Sequence, residues 1–260
     1  MNEVNKTLYI PLFGKSYVSE KGIILSDKMA ENIWQKAGFK LKGKSKSKWL
    51  AYYMGMRARV FDDWLGDKIT ENPCCVVIHL GCGLDSRVMR VKQDSALWYD
   101  VDFPDVIAER RKFYREDEKY KMLPYDIRKK EWLDSVEKST SAVVVMEGIS
   151  MYLDPYELSA VLSMLCSRFE KLSILMDCYT TFAAKASKIK NPINDVGVTK
   201  VYGMDDPLSL EKSGISFVKE WDMTPGYLID ELLGMEKSIF SKVYGGKMSR
   251  KLYKLYEYTK

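Results

Sequence analysis

The feature that most restricts the fold of this chain is an alternation of two periodicities. Five short apolar runs, at 74–80, 96–101, 119–123, 142–146 and 172–176, are separated by segments of helical character. Runs such as VVIHL and AVVVM lack the in–out polar alternation of a strand with one wet face, so they suit strands covered on both sides. Strand-like runs alternating with helices predict a parallel sheet with helices on both faces. The helix starts agree: Pro104 follows the second run and suits a first helical turn. After the fourth run, Asp154-Pro155-Tyr156-Glu157 reads as an N-cap, a proline at N1 and a glutamate at N3, opening a helix from Pro155 to Phe169. Two late segments, Ile215–Trp221 and Lys251–Tyr258, read as strands that close the sheet as an antiparallel pair. The expectation is an α/β, Rossmann-like sheet of seven strands, mostly parallel, with an antiparallel last strand.

Upstream of the first run the pattern is helical. Ser26 is placed to cap a helix over Asp27–Ala37 that Gly38 would stop, and Trp49, Tyr53, Met56, Val60 and Trp64 recur at helical spacing over Lys48–Leu65. Residues 1–70 hold too little apolar material for a core of their own, so they read as a helical lid over a domain formed by residues 71–260. Trp34, Trp49 and Trp64 are expected to serve as lid packing.

Composition removes several classes of function. The five cysteines have no paired spacing and there is a single histidine, His79, so neither a disulfide framework nor a zinc site is expected. The 41 basic and 36 acidic residues are well mixed, with no basic track for nucleic acid. Residues 1–13 carry no continuous apolar core, and no run approaches the roughly 18 residues that span a bilayer. A cytosolic protein without membrane or nucleic-acid partners is expected.

The sharpest local signal is HLGCGLDSR, His79–Arg87, where a buried run turns into a helix. Glycines at 81 and 83 let the backbone turn tightly and approach a ligand. Nineteen residues after Gly83, Asp102 ends the second run, where an acid can accept both hydroxyls of a ribose. A dinucleotide fingerprint requires a third small residue that packs helix on strand; here Ser86 follows a charged Asp85, which tilts the reading from NAD towards a nucleoside without a diphosphate. A nicotinamide-dependent oxidoreductase and a non-catalytic nucleoside-binding protein remain alternatives. His79, inside the run, reads as core, and Arg87 as either a buried partner of Asp85 or Asp62 or a site residue.

HLGCGLDSR, YDVDFP, PYDIR and MEGISMYL occur in an order and at spacings that resemble the leucine carboxyl methyltransferase family, with MRARVFDDWL at 56–65 and, more loosely, GKSYVS at 14–19. Residues 180–213 match nothing in it. The family includes enzymes that methylate a C-terminal leucine carboxylate and bacterial O-methyltransferases of polyketide-like molecules. The resemblance implies S-adenosyl-L-methionine as cofactor and an O-methyltransferase activity. It implies Gly81 and Gly83 beneath the methionine part, Asp102 on the ribose, Asp126 and Ile127 against adenine, and Glu147 near the ammonium group. Arg57 and Lys15 would pair with a carboxylate, most simply the cofactor's own. Tyr152 would be pocket wall or a hydrogen-bond donor to the acceptor. The acceptor would be a small molecule or chain terminus carrying a carboxylic acid, with a phenol as alternative, and Arg59 is expected to offer a second guanidinium to it. No metal is implied; Glu147 or a lysine could serve a phenol as base.

Overall fold

The structure, a computed structural model, describes residues 8–37, 41, 43–91, 95–187 and 200–260. The seven strands are β1 (Val76–Leu80), β2 (Leu97–Asp102), β3 (Tyr120–Pro124), β4 (Ser141–Met146), β5 (Lys171–Tyr179), β6 (Ser216–Trp221) and β7 (Tyr253–Thr259). They form one sheet in the order β3-β2-β1-β4-β5-β7-β6. Strands β1 to β5 are parallel, and β7 lies antiparallel between β5 and β6. The order reverses direction between β1 and β4, which opens a crevice at the carboxyl ends of those strands.

Helices α1 (Tyr9–Glu20), α2 (Lys28–Ala37) and α3 (Lys48–Glu71) precede the sheet. Within the sheet's connections lie α4 (Arg87–Arg90), α5 (Pro104–Arg110), α6 (Glu131–Asp134), α7 (Pro155–Arg168) and α8 (Thr181–Ser187). Three further helices, α9 (Gly226–Ile229), α10 (Gly234–Val243) and α11 (Gly246–Leu252), stand between β6 and β7. The alternation of β1 shows how the sheet divides the core. Val76, Ile78 and Leu80 join α7 residues Leu158, Val161, Leu162 and Leu165 on one face. Val77 joins the other face, where α1, α2 and α3 supply Leu12, Val18, Ile33, Tyr52, Phe61 and Trp64. The N-terminal helices therefore share one core with the sheet.

Several boundaries differ from expectation for identifiable reasons. The first helix, α1, contains Pro11 and Gly14, which disguise it in the sequence. Proline is tolerated in a first helical turn, where its missing N–H is not needed. Gly14 is required by packing: a Cβ there would lie 2.6 Å from Met54 Cβ, and one on Gly55 would lie 2.8 Å from Val18 Cγ2, so α1 and α3 touch backbone to side chain. The cap of α2 is Asp27 and not Ser26; its Oδ1 accepts the Ala30 N–H at 2.8 Å. Helix α3 runs to Glu71 instead of ending at Leu65. Strand β5 continues past Met176 to Tyr179, and Lys251 and Leu252 end α11 before β7 starts. The predicted capping box at Asp154 and Glu157 is present, as is Pro104 in the first turn of α5. Gly38 as a helix stop, parts of the lysine-rich stretch 40–48, the first seven residues and the middle of 180–213 lie outside the described residues.

Candidate active site

A cavity of about 890 Å³ opens where the strand order reverses, roofed by α1, α3, α10 and α11. Its volume is near the upper end of the range for a single small ligand, which suits two ligands side by side. Lys15, Arg57, Gly81, Gly83, Asp102, Asp126, Ile127, Glu147 and Tyr152 all line it. The residues drawn from separate sequence motifs thus converge on one space.

At one end the backbone shapes the wall. Gly81 has φ +66° and Gly83 φ +53°, the left-handed region that L side chains disfavour. A Cβ on Gly81 would also come within 2.1 Å of Ile149 Cγ2, so the β1 turn and the β4 loop close only over a bare glycine. Asp102 locks the turn: its Oδ2 accepts the Gly83 N–H at 2.8 Å and its Oδ1 accepts the Phe103 N–H at 2.7 Å. Burial raises the Asp102 carboxyl to about 6, against those two donors. Beneath the turn, Arg110 donates to Gly83 O at 3.1 Å and Asp85 O at 2.6 Å while pairing with Asp100 at 2.5 Å. The two acids of YDVD therefore separate: Asp100 is sealed in the core with Arg110, Tyr120 and the Trp98 indole, and Asp102 alone faces the cavity. On the β3 side, Asp126 is half-buried, paired with Arg128 at 2.6 Å, beside the half-buried apolar side chain of Ile127.

Deeper in the cavity lies a chain of buried ions. Glu147, after β4, takes Arg57 Nη2 at 3.0 Å and Arg87 Nη2 at 2.5 Å. Arg57 Nη1 also donates to Asp177 Oδ2 at 2.7 Å, and Arg87 Nε to Asp62 at 2.7 Å. Lys15 reaches Asp85 at 3.0 Å, and Arg90 ties Asp62 to Asp27. The desolvation of burial is outweighed at Glu147 by Arg57 and Arg87, which hold its carboxyl down to about 2. Burial raises the Asp177 carboxyl, opposed by Arg57. Burial lowers the His79 imidazole and keeps it neutral; Nε2 meets Arg87 at 3.3 Å and Nδ1 lies 3.5 Å from Asp100. His79 is buried, as its place in the run suggested, yet it also borders the cavity, and Arg87 pairs with both Asp85 and Asp62.

One expectation is overturned. Arg59 does not line the cavity; its Nε pairs with Asp63 at 2.7 Å and its Nη1 donates to Ile24 O at 3.2 Å. Two positions along a helix turn a side chain about 200° away, so Arg57 and Arg59 cannot serve one site. Sequence reasoning also missed Asp177, Arg110 and most of the other end of the cavity. That end is aromatic: Trp49 and Tyr53 of α3, Tyr152 after β4, Tyr179 of β5, Tyr244 after α10 and Tyr253 of β7. Tyr179 meets Tyr253 edge-on at 4.6 Å, and Trp49 stacks on Tyr244 at 5.8 Å. Trp34 packs on Phe13 and Trp64 is buried, whereas Trp49, expected as packing, lines the cavity. Burial pushes the Tyr53 and Tyr253 phenols up, so both stay protonated. The Tyr53 hydroxyl sits 2.9 Å from Ser249 Oγ.

A glycine turn, a ribose-type acid on the next strand and a sheet with β7 reversed between β5 and β6 define a class I S-adenosylmethionine-dependent methyltransferase. The fold agrees with that of solved structures. The magnesium protoporphyrin IX methyltransferase ChlM of Synechocystis PCC 6803, crystallised with bound SAH, superposes at TM-score 0.52 over 96% of this chain and 99% of its own, at 12% identity. A crystal structure described as a putative methyltransferase from Thermobifida fusca reaches TM-score 0.57 at 14% identity, covering 95% and 94%. Residues 7–166 match the leucine carboxyl methyltransferase family, and the chain belongs to it. It is 31% identical over 206 residues to the tetracenomycin polyketide synthesis O-methyltransferase TcmP of Streptomyces glaucescens, spanning 78% of this chain and 76% of that one. It is 27% identical over 229 residues to the S-adenosyl-L-methionine-dependent methyltransferase dpfgK of Gibberella zeae, covering 79% and 77%. The protein is an S-adenosylmethionine-dependent O-methyltransferase.

The residues present fit that cofactor. The left-handed glycines 81 and 83 bring bare backbone to the cavity wall, where a ligand chain can approach closely, and Arg57 Nε is buried without a partner among the described residues, a donor left over for an anionic group. Among the described residues no helix is long and apolar enough to cross a membrane.

Proposed function

We propose that the chain esterifies a carboxylate carried by a bulky, largely apolar small molecule. The observation that carries this reading is that, among the described residues, no carboxylate or imidazole lines the aromatic end of the cavity. At the other end Glu147 is held to about 2 by two guanidiniums, and His79, which borders the cavity, is lowered by burial with Arg87 3.3 Å from its Nε2; the Tyr53 and Tyr253 phenols are pushed up by burial. A carboxylic acid, with a pKa near 4, is already ionised at neutral pH and needs no base; a phenol, near 10, benefits from one. S-Adenosylmethionine supplies a methyl group activated by its sulfonium. The chain's part is then to bind, orient and exclude water, effects that can contribute roughly 7–11 kcal/mol.

In this reading the cofactor end holds the nucleoside. Gly81 and Gly83 lie beneath the methionine part, Asp102 accepts the ribose hydroxyls, and Asp126 and Ile127 border adenine with a polar edge and an apolar face. Lys15 and Arg57 serve the cofactor's carboxylate, and Glu147 its ammonium group. Glu147 is a positioning acid and not a base, because a group that binds its proton at about 2 draws little from a phenol. Tyr152 and the aromatic wall hold the acceptor. A small molecule is favoured over a protein chain terminus because α10 and α11 wall the acceptor end, and the relative whose name specifies polyketide synthesis points the same way.

A methyl ester is hydrolysed by mild alkali with release of volatile methanol, whereas a phenolic ether survives. With methyl-labelled cofactor and a metabolite extract, base treatment is expected to release the label as volatile methanol. Base-stable, non-volatile label would replace the carboxylate with the phenol.

A further inference from the structure

Seven of the twelve large apolar side chains that stand exposed among the described residues fall in one segment, α9 to α11: Tyr227, Leu233, Met235, Ile239, Val243, Met248 and Leu252. Leu233 and Met235 are 78% and 81% exposed, values unusual for side chains that cost free energy in water. On α10 the spacing of Met235, Ile239 and Val243 makes one stripe, while Phe240, about 100° round the helix from Ile239, is fully buried against Tyr52 and Tyr244. Val243, Met248 and Leu252 are exposed and also line the cavity, so the stripe runs on into its mouth. The exposed Phe182 extends it, since α8 packs on α11.

The charges of the segment are unbalanced. Asp230 is matched by Lys237 at 3.0 Å, and Glu236 by Lys48 at 2.8 Å and Lys21 at 3.5 Å. Lys242, Lys247 and Lys251 are exposed and have no ion-pair partner among the described residues. We propose that this face docks on an anionic lipid surface, with the apolar stripe seated at the headgroup level and the three lysines on the anionic headgroups. Amphipathic helices that combine lysines with exposed apolar side chains lie in bilayer interfaces in this way. A second copy of the chain fits less well, because a self-complementary interface would bring the same lysines towards each other. The expectation of no membrane partner rested on the absence of a spanning run; a surface contact needs none. The docking would present the cavity mouth to apolar molecules dissolved in the membrane.

The test is co-sedimentation of the full chain, with S-adenosylhomocysteine present, with vesicles of phosphatidylcholine alone and with a roughly equal share of phosphatidylglycerol. The expected result is binding to the mixed vesicles that salt weakens, with little binding to phosphatidylcholine. Leu233→Glu with Met235→Glu should abolish it, and Lys242→Glu with Lys247→Glu should weaken it by roughly fivefold or more per lysine. Neither pair touches the cofactor end, so S-adenosylhomocysteine affinity should stay unchanged in both. Equal binding to the two vesicle types, binding to neither, or a dimer in sedimentation that Met235→Glu dissolves would each overturn the proposal.

Discussion

The two ends of the cavity are built by different means. The cofactor end is made of backbone: two left-handed glycines on the β1 turn, an acid locking that turn from β2, and a loop after β4 packed on the bare Gly81. The acceptor end is made of side chains, and its aromatic residues come from α3, the β4 loop, β5, the end of α10 and β7. A backbone wall has little latitude, because moving a strand-to-helix turn moves the sheet. A side-chain wall can be rebuilt one residue at a time. The contrast explains how one family can keep its cofactor while its acceptors diverge. It also separates the charges: the buried ion chain through Glu147 belongs to the cofactor end, and hydroxyls on aromatic rings supply most polar atoms at the other.

The largest effect should come from filling the backbone wall. Gly81→Ala places a methyl 2.1 Å from Ile149 Cγ2 and asks an L residue to keep φ +66°. The left-handed conformation alone costs roughly 1–2 kcal/mol, and the overlap must be relieved by moving the β4 loop that carries Glu147. The expected outcome is a lowered melting temperature and S-adenosylhomocysteine affinity weakened at least about 100-fold, that is, by at least roughly 2.7 kcal/mol. A variant that binds within a factor of a few of wild type by calorimetry would show that the turn has more latitude than its geometry implies.

Asp102 should rank next. Asp102→Ala removes a charged acceptor from the ribose position and the lock on Gly83, so S-adenosylhomocysteine should bind roughly 10- to 100-fold more weakly. Equal affinity would remove Asp102 from the ribose. The pH dependence sharpens the point. Since burial raises this carboxyl to about 6, affinity should fall about tenfold between about pH 7 and about pH 5, and Asp102→Asn should be flat over that window. Unfolding does not mimic the effect. A carboxyl raised in the folded state takes up its proton on folding, so its contribution to stability grows as pH falls from about 6 towards about 4. Glu147, held to about 2, contributes stability above its unfolded value near 4 and loses it only below that.

The same contrast governs what could be read from the sequence. The sheet, the glycine turn, Asp102 and the cap of α7 were legible because each is a local signal: a run, a spacing, a Pro or an N-cap acid. Asp177 was not, because a carboxylate after an apolar run reads as the end of a strand. The structure carries β5 three residues further and seals Asp177 against Arg57 and the Gly148 N–H at 2.6 Å. Helix α1 was hidden by Pro11 and Gly14, and Gly14 makes sense only beside Met54, forty positions away. The aromatic wall depends on contacts such as Tyr53 with Tyr253 at 5.6 Å, which no periodicity reveals. Arg59 misleads for the opposite reason: it is close to Arg57 in sequence and faces away from it in space.

Arg59 therefore supplies the smallest and cleanest test of the separation between the two ends. If the acceptor end takes no cation from α3, then removing Arg59 should leave acceptor binding alone. Its partner Asp63 is four residues on, and the pair is exposed, 40% and 43% for the two side chains. Exposed pairs of this kind contribute about 0.3–0.5 kcal/mol. Its second contact is Ile24 O, on a residue with φ +65°, so some cost in local strain could add to that loss but would stay at the surface of the lid. Arg59→Ala is expected to lower stability by about 0.5 kcal/mol and to change neither S-adenosylhomocysteine affinity nor the acceptor KM by more than about twofold. The matched measurement is Tyr53→Phe, which removes the hydroxyl beside Ser249 from the cavity and should raise the acceptor KM while leaving cofactor affinity in place. A tenfold rise in acceptor KM in Arg59→Ala, with Tyr53→Phe silent, would move the acceptor's carboxylate out of the aromatic chamber and onto the outer face of α3.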